Sequence, residues 1–134
     1  MRKTFQYRIY PTRKQRHILN DILEECRWVY NQTLGFRKEV WERCQESLTY
    51  YDTTQVLPYW KKQRPALKQV HSQVLQDVQN RVEKALRAFF RRVREGKEAP
   101  GFPRFKGKGR YDSFTFTQSG FGFKEGKLRL SKVG

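Results

Sequence analysis

Hydrophobic and polar residues alternate near both ends of the chain, whereas apolar residues in the middle recur at helical spacing. Residues 3–10 alternate and predict a strand that stops at Pro11. Residues 113–117 also alternate and predict a second strand. Residues 121–123 and 128–130 predict a hairpin around a glycine-containing turn. The strands therefore flank a long helical region.

The first half of the middle region predicts one long helix and one short helix. Thr12 and Gln15 match a capping box, and an apolar stripe continues to about residue 46. The members of this stripe are Leu19, Ile22, Cys26, Val29, Thr33, Phe36, Val40 and Cys44. A short helix is predicted over residues 52–63 with Val56, Leu57 and Trp60 inward, and Arg64-Pro65 ends it because a residue before proline avoids helical angles.

A second long helix is predicted from an N-cap at Ser72 to a C-cap at Gly96. Its stripe contains Leu75, Val78, Val82, Ala85, Leu86, Phe89 and Val93. Long helices with turn-length gaps predict an antiparallel helical bundle. The fold class is therefore α+β, with a bundle of two long helices and one short helix inserted into a small antiparallel sheet or barrel.

The charge of the chain predicts a polyanionic partner. Its 134 residues include 29 Lys and Arg against 13 Asp and Glu, a formal net charge of +16. Binding phosphates releases condensed counterions, which favours a nucleic acid. An anionic membrane surface and a merely solvated basic surface are the alternatives. No apolar run is long enough to span a membrane, and no signal-peptide pattern precedes Pro11, so we expect a cytoplasmic protein.

Residues 101–110, GFPRFKGKGR, are the strongest local signal. They contain three glycines, a proline, two phenylalanines, four cations and no acid. Glycine lets a backbone approach a phosphate closely, and Lys and Arg neutralise it. We expect the cations to bind a phosphate backbone. We expect Phe102 and Phe105 to fix the loop to the core of the barrel, and stacking on bases is the alternative.

Further cations gather at the ends of the two long helices. Arg13 and Lys14 lie at a helix start, where their charges oppose the helix dipole. Because this placement is unfavourable without a partner, it favours a phosphate ligand there. Arg87 and Arg91 lie near the end of the second helix, where they either complement the dipole or bind nucleic acid. The candidate RNA- or phosphate-binding residues are Arg8, Arg13, Lys14, Arg87, Arg91, Arg104, Lys106, Lys108 and Arg110.

The sequence shows no catalytic or metal-binding constellation. Cys26 and Cys44 are the only cysteines, and on one helix they would lie about 27 Å apart, too far for a disulfide. We expect both to be buried, reduced thiols. His17 and His71 have no nucleophile or carboxylate partner that the sequence identifies.

A set of short motifs in a fixed order resembles the N-terminal part of TnpB, the transposon-encoded RNA-guided DNA endonuclease also called an OrfB-type transposase, to which compact type V CRISPR effectors are related. The motifs are residues 7–12 (YRIYPT), 28–31 (WVYN), 48–50 (LTY), Gln76, 89–90 (FF), 101–106 (GFPRFK) and 113–117 (SFTFT). The resemblance covers essentially all of the chain.

The resemblance implies a wedge-type β-barrel with an inserted helical recognition domain. The implied segments are the first barrel strand (1–11), the helical domain (12–96), the basic loop (97–112) and a truncated continuation of the barrel (113–134). Guide RNA, the target DNA duplex and the guide–target heteroduplex are the implied partners. The positions that match residues near the transposon-adjacent DNA motif are Tyr50, Thr54, Ser72, Gln73, Gln76 and Thr117. Ser72 and Gln73 depart from the residues found in some members.

In the family, a RuvC nuclease domain and a zinc ribbon follow the region that this chain matches. We therefore expect the chain to bind and not to cut, to need no cofactor, and to leave Mg²⁺ and zinc to the complete protein. It would be a fragment, a natural truncation or a recognition module, with self-association through an open barrel edge. A stand-alone helical DNA-binding protein, and one piece of a nuclease whose remainder is supplied separately, are the alternatives.

Overall fold

The computed structural model describes residues 3–96 and 101–134. The first four residues of the predicted basic segment, 97–100, and residues 1–2 lie outside the described residues. The elements are four α-helices, a 3₁₀ helix and two strands: α1 (Arg13–Cys44), α2 (Tyr50–Thr54), α3 (Leu57–Gln63), the 3₁₀ helix (Pro65–Gln69), α4 (Ser72–Glu95), β1 (Phe121–Lys124) and β2 (Lys127–Leu130).

Helix α1 begins at the predicted capping box. The Gln15 N–H donates to Thr12 Oγ1 at 3.1 Å, and the Thr12 N–H donates to Gln15 Oε1 at 3.0 Å. The helix ends where Gln45 takes left-handed angles, with φ 57°. Both helix bounds confirm the sequence prediction. Most of the stripe is buried or half-buried, but Cys44 is exposed, so the expectation of a buried thiol is wrong for that residue.

Pro58 divides the predicted short helix into two. It has no N–H to donate to the carbonyl of Thr54, so α2 stops there and Pro58 takes a place in the first turn of α3. A second capping box, Thr49 with Asp52, begins α2. Leu57 and Trp60 are buried as expected, and α3 ends just before Arg64 and Pro65.

Helix α4 follows its predicted bounds, with one change at its start. His71, not Ser72, is the N-cap, and its Nδ1 accepts from the Gln73 N–H at 3.2 Å. At the other end Gly96 has φ 64° and caps the helix, as predicted. The predicted stripe is buried from Leu75 to Leu86 and becomes more exposed beyond it.

Helices α1 and α4 form the core and run in the same general direction. Ile22 lines a cavity together with Val70, which lies just before α4. Further along both helices, Arg37 pairs with Glu83. The prediction of antiparallel packing is therefore wrong for the two long helices. Residues 45–71, which contain α2, α3 and the 3₁₀ helix, return the chain to the start of α4, whereas antiparallel neighbours need only a short connection.

The predicted hairpin is confirmed. Strands β1 and β2 pair antiparallel, with Phe121 opposite Leu130 and Lys124 opposite Lys127. Between them Glu125 has φ 52° and Gly126 has φ 74°. Two consecutive positive φ angles are the signature of a type I′ turn, whose twist matches that of the strands.

The strands predicted at residues 3–10 and 113–117 are not formed, and the described residues contain no barrel. A strand needs a neighbour to receive its backbone hydrogen bonds, and β1 and β2 pair only with each other. Residues 3–10 are exposed, and residues 113–117 lie against α4 instead. The α+β class holds in its coarse form: a mainly helical chain with one small sheet.

In the part of the chain that the structure describes, no helix has both the length and the apolar character needed to cross a membrane.

Candidate nucleic-acid interface

Intramolecular ion pairs use many of the acids, so most of the positive charge stays on the surface. Arg37 pairs with Glu83 in the core, and Arg64 pairs with Glu25 at 2.6 Å. Further pairs join Arg27 to Glu24, Arg81 to Asp77, Arg43 to Glu39 and Arg87 to Glu83. Pairing with carboxylates therefore offsets a few cations, while the cations of the basic loop have no acidic partner among the described ion pairs.

Helix α1 fixes the backbone of the basic loop within its described residues 101–110. The Lys106 N–H donates to Asn31 Oδ1 at 2.7 Å, and Asn31 Nδ2 donates to the Lys106 carbonyl at 2.9 Å. Arg27 Nη1 donates to the same carbonyl at 3.1 Å. One asparagine side chain thus pairs with both backbone groups of a single residue, as a neighbouring strand would.

The two phenylalanines of the loop have unequal roles. Phe102 is half-buried, packs edge-on against Phe89 with 5.4 Å between ring centroids, and lies under the Lys38 ammonium. Phe105 lies beside Gly35 of α1 but remains 51% exposed. Phe102 is therefore the main apolar anchor, and it contacts the helices and not a barrel.

The tip of the loop presents its cations outward. The Arg110 N–H donates to the Gly107 carbonyl at 3.0 Å, and Gly109 has φ 76°, which closes a turn that needs glycine at its third position. Arg104, Lys108 and Arg110 are exposed. Lys106 differs, because its ammonium lies over the Tyr30 ring, 5.4 Å from the centroid.

The residues matched to the DNA-motif positions lie on adjoining elements. Tyr50 and Thr54 belong to α2, and Ser72, Gln73 and Gln76 belong to the first two turns of α4. Helix α2 packs on α4, where Gln79 Nε2 donates to the Thr53 carbonyl at 2.8 Å. Thr117, the sixth position, is exposed and directly precedes a segment that is hydrogen-bonded to α4.

Within this set, Gln73 already has a structural role. Its Oε1 accepts from the Gln118 N–H at 3.2 Å and from the Ser119 N–H at 3.0 Å, so it holds the segment after Thr117 against α4. Ser72 Oγ accepts from Lys61 Nζ at 3.0 Å. Gln76 is half-buried, and the described residues provide no hydrogen bond to its amide.

Tyr50 and two nearby buried groups have altered acidity. Burial, and secondarily the carboxylate of Asp77, raise the pKa of Tyr50. Burial raises the pKa of Tyr111 to about 12, although Arg81 opposes the shift. Burial likewise raises the pKa of the Cys26 thiol to about 12. These groups stay protonated at neutral pH and add no negative charge to this basic surface.

The remaining candidate cations lie in two places. Arg13 and Lys14 are exposed in the first turn of α1, and Arg8 lines a cleft of about 710 Å³ between residues 7–12, that turn and the hairpin. Arg87 and Arg91 line a groove of about 610 Å³ on the second half of α4. The structure therefore does not bring all predicted phosphate contacts together.

Several residues that position the interface were missed in the sequence. Asn31 holds the loop, and Arg81 binds residues 111–115 through Tyr111 Oη, the Ser113 carbonyl and Thr115 Oγ1 at 2.9–3.1 Å. Three polar residues buried along the helical stripes were also missed, namely Arg37, Gln79 and Glu83. Polar residues at apolar-stripe positions are the signal that could have revealed this second group.

The described residues contain no group of three or more His, Cys, Asp or Glu side chains placed to hold a metal ion.

Comparison with known proteins agrees with the resemblance seen in the sequence. Residues 1–46 match a family model described as a helix-turn-helix domain, of OrfB type. A Streptomyces pristinaespiralis protein named as an RNA-guided DNA endonuclease is 30% identical over 99% of this chain. The Escherichia coli K12 protein InsQ, named in the same way, is 29% identical over 87% of it. The chain spans about a third of the length of these relatives, 32% and 28% respectively.

The matched region contains a single continuous helix. A helix-turn-helix requires two helices joined by a short turn, but α1 runs unbroken from Arg13 to Cys44 within the matched residues. The match therefore identifies a relationship and not that motif. With the OrfB-type match at its start and relatives aligned along nearly all of its length, the chain belongs to the TnpB/OrfB family.

Proposed function

We propose that this chain is the nucleic-acid-recognition module of a TnpB-like RNA-guided DNA endonuclease, which holds guide RNA and contacts the transposon-adjacent motif of target DNA. The observation that carries the proposal is the basic loop, whose exposed cations project from a backbone fixed to α1 by Asn31. A charged loop held in one conformation loses little entropy when it binds, which favours affinity.

The loop is suited to a phosphate backbone. Arg104, Lys108 and Arg110 supply exposed charge, and the turn at Gly109 leaves room for close approach. Contacts of this kind position a nucleic acid without selecting a sequence. The guide RNA, which must be held for any target, is the partner that fits this chemistry within the family.

Base reading is assigned to the surface formed by α2, the start of α4 and Thr117. Gln76 is the best-placed reader, because its amide has no partner among the described residues and glutamine can pair with adenine in the major groove. Gln73 contributes by holding residues 118–119 in place rather than through its amide oxygen, which is already occupied.

The alternative of a stand-alone helical DNA-binding protein finds less support. Such a protein would insert a recognition helix after a short turn, and residues 13–44 contain no such turn. We also propose that the chain does not cleave DNA, since two-metal cleavage requires an acidic cluster. Guide-dependent cleavage by the purified chain with Mg²⁺ or Mn²⁺ would refute that statement.

The loop is tested by changing Arg104, Lys108 and Arg110 together to Gln. Losing three phosphate contacts should weaken RNA binding and reduce the slope of log K against log salt by about 2 to 3. A matched control changes Arg43, Lys62 and Lys68, three exposed cations elsewhere, to Gln and keeps the same net charge. Titration of labelled RNA at several salt concentrations measures the affinity and the salt slope of each variant. Equal losses in the two variants would show that only net charge matters.

Base reading is tested with Gln76→Ala and motif-containing duplex DNA. The substitution should remove about 1–3 kcal/mol of preference for the motif over a scrambled duplex, while RNA affinity stays unchanged. Gln69→Ala, at an exposed position of the 3₁₀ helix, is the control. An equal loss on both duplexes would exclude Gln76 as a base reader.

A further inference from the structure

The second half of α4 carries an aromatic side chain that the core covers only in part. Phe90 is 43% exposed and Val93 is 49% exposed, although both follow a stripe that is buried up to Leu86. Phe89, the neighbour of Phe90, packs on Phe102 and takes the inward position. Phe90 contacts Phe89, with 5.4 Å between their ring centroids, so it packs at the edge of the core and leaves part of its ring exposed.

Cations surround this ring on the helix surface. Residues three and four apart share a helix face, so Arg87 lies one turn before Phe90 and Arg94 one turn after it. Together with Lys84 and Arg91 they line the groove of about 610 Å³. The described acids of this half are Glu83, which pairs with Arg37 and also with Arg87 at 3.2 Å, and Glu95 in the last turn.

The helix dipole explains part of this charge but not the aromatic ring. Cations near a helix C-terminus complement its negative end, so Arg91 and Arg94 would be stabilising with no ligand present. An exposed phenylalanine contributes nothing to that effect and costs apolar exposure. Other described rings, such as those of Tyr30, Trp28 and Phe102, carry a cation over their faces, whereas Phe90 does not.

We infer that this face of α4, defined by Lys84, Arg87, Phe90, Arg91 and Arg94, binds an unpaired nucleic-acid strand. Phe90 stacks on a base, and Arg91 and Arg94, which take part in none of the described ion pairs, neutralise the neighbouring phosphates. A duplex hides the faces of its bases, so the aromatic ring adds affinity only for an unpaired strand. The inference rests on the proposed function and adds a site and a ligand class to it.

The test uses four labelled probes, namely a 12-nucleotide strand and its duplex, each made as RNA and as DNA. The unchanged chain should bind the single strand more tightly than the duplex. Phe90→Leu, which keeps apolar volume but removes the ring, should weaken single-strand binding about tenfold and leave duplex binding unchanged, given the usual contribution of base–aromatic stacking. The RNA and DNA arms show which strand type the face prefers, because only RNA offers a 2′-hydroxyl.

Two further variants separate stacking from folding and from general charge. Phe90→Trp restores a π surface and should recover or exceed the original single-strand affinity. Trp41→Leu removes another exposed aromatic residue, which lies beside Glu42 and the Glu39–Arg43 pair, and should change nothing. Arg91→Gln with Arg94→Gln should lower affinity for both strand forms and reduce the salt dependence.

The outcomes separate this inference from the proposed function. Unaltered single-strand binding by Phe90→Leu would overturn the stacking site and leave the recognition module standing. Occupation of this face by a protein partner would give that same result. Failure of the unchanged chain to bind any of the four probes would overturn both.

Discussion

The helical core and the C-terminal hairpin use similar residues with opposite results. Leu34, Leu75 and Val82 are fully buried between α1 and α4. Phe121 and Phe123 of β1 are 53% and 75% exposed. Both regions have the periodicity of their own secondary structure, but only the helices have a second apolar surface to pack against. Periodicity therefore fixes which side chains share a face, and burial depends on whether a partner surface exists.

The buried ion pair of the core should give the largest effect. Glu83→Ala leaves the Arg37 guanidinium buried without its carboxylate, and should lower the free energy of unfolding by about 3–5 kcal/mol. Urea unfolding followed by circular dichroism measures it. Glu39→Ala, which breaks an exposed pair with Arg43, should cost under about 1 kcal/mol. Similar losses in both variants would show that the Arg37 pair is solvated.

Truncating one apolar residue in each region tests the comparison directly. Leu75→Ala should lower the free energy of unfolding by about 2–5 kcal/mol, because it leaves a cavity in the core. Phe123→Ala should change it by no more than about 0.5 kcal/mol, as other exposed substitutions do. Chemical denaturation of both variants provides the measurement. A large loss for Phe123→Ala would mean that another surface covers the hairpin, for example in a self-associated form.

Arg81 joins the helical core to residues 111–115, which precede the hairpin, so its removal should loosen that segment without unfolding the core. Arg81→Gln loses charged hydrogen bonds to Ser113 and Thr115, each typically worth about 1.5–3 kcal/mol. Amide exchange over residues 111–119 should become faster, while exchange in α1 stays slow. Arg92→Gln, an exposed cation of α4, is the control. Faster exchange throughout the chain would show that the contact stabilises the whole fold.

A loss of stability at alkaline pH is also expected. The Cys26 pKa rises from 9.0 to about 12 on folding, and the Tyr111 pKa rises from 10.0 to about 12. The folded state then holds protons that the unfolded state releases, so stability is full below pH 9 and falls as pH rises towards 12. Melting temperatures between about pH 8 and pH 11 measure the decline.

Two cysteine variants locate the source of that decline. Cys26→Ala should make the decline with pH shallower, whereas Cys44→Ala, at an exposed position, should leave it unchanged. A decline with the same slope in all three chains would exclude the Cys26 thiol as a contributor. Thiol alkylation of the native chain should correspondingly modify Cys44 and spare Cys26.

The local elements and the basic loop could be predicted from sequence because their causes are local. The capping box at Thr12 and the glycine cap at Gly96 act within one turn of their own helices. The glycine at position 126 likewise favours the turn of the hairpin. The excess of cations in residues 101–110 also needs no fold to be recognised. From these features the sequence alone predicts the helices in the middle of the chain, the C-terminal hairpin and a nucleic-acid partner.

Only the tertiary structure decided how these elements meet. The direction of α4 relative to α1 depends on the path of residues 45–71, and the strands predicted at residues 3–10 and 113–117 depend on partners that the sequence does not specify. Asn31 holding Lys106 joins positions far apart in the chain, and the exposure of Phe90 beside the inward Phe89 depends on which side of α4 the loop covers. Contacts between distant residues form because the whole set of packing contacts in the native fold is more stable than the alternative sets. No local pattern encodes them.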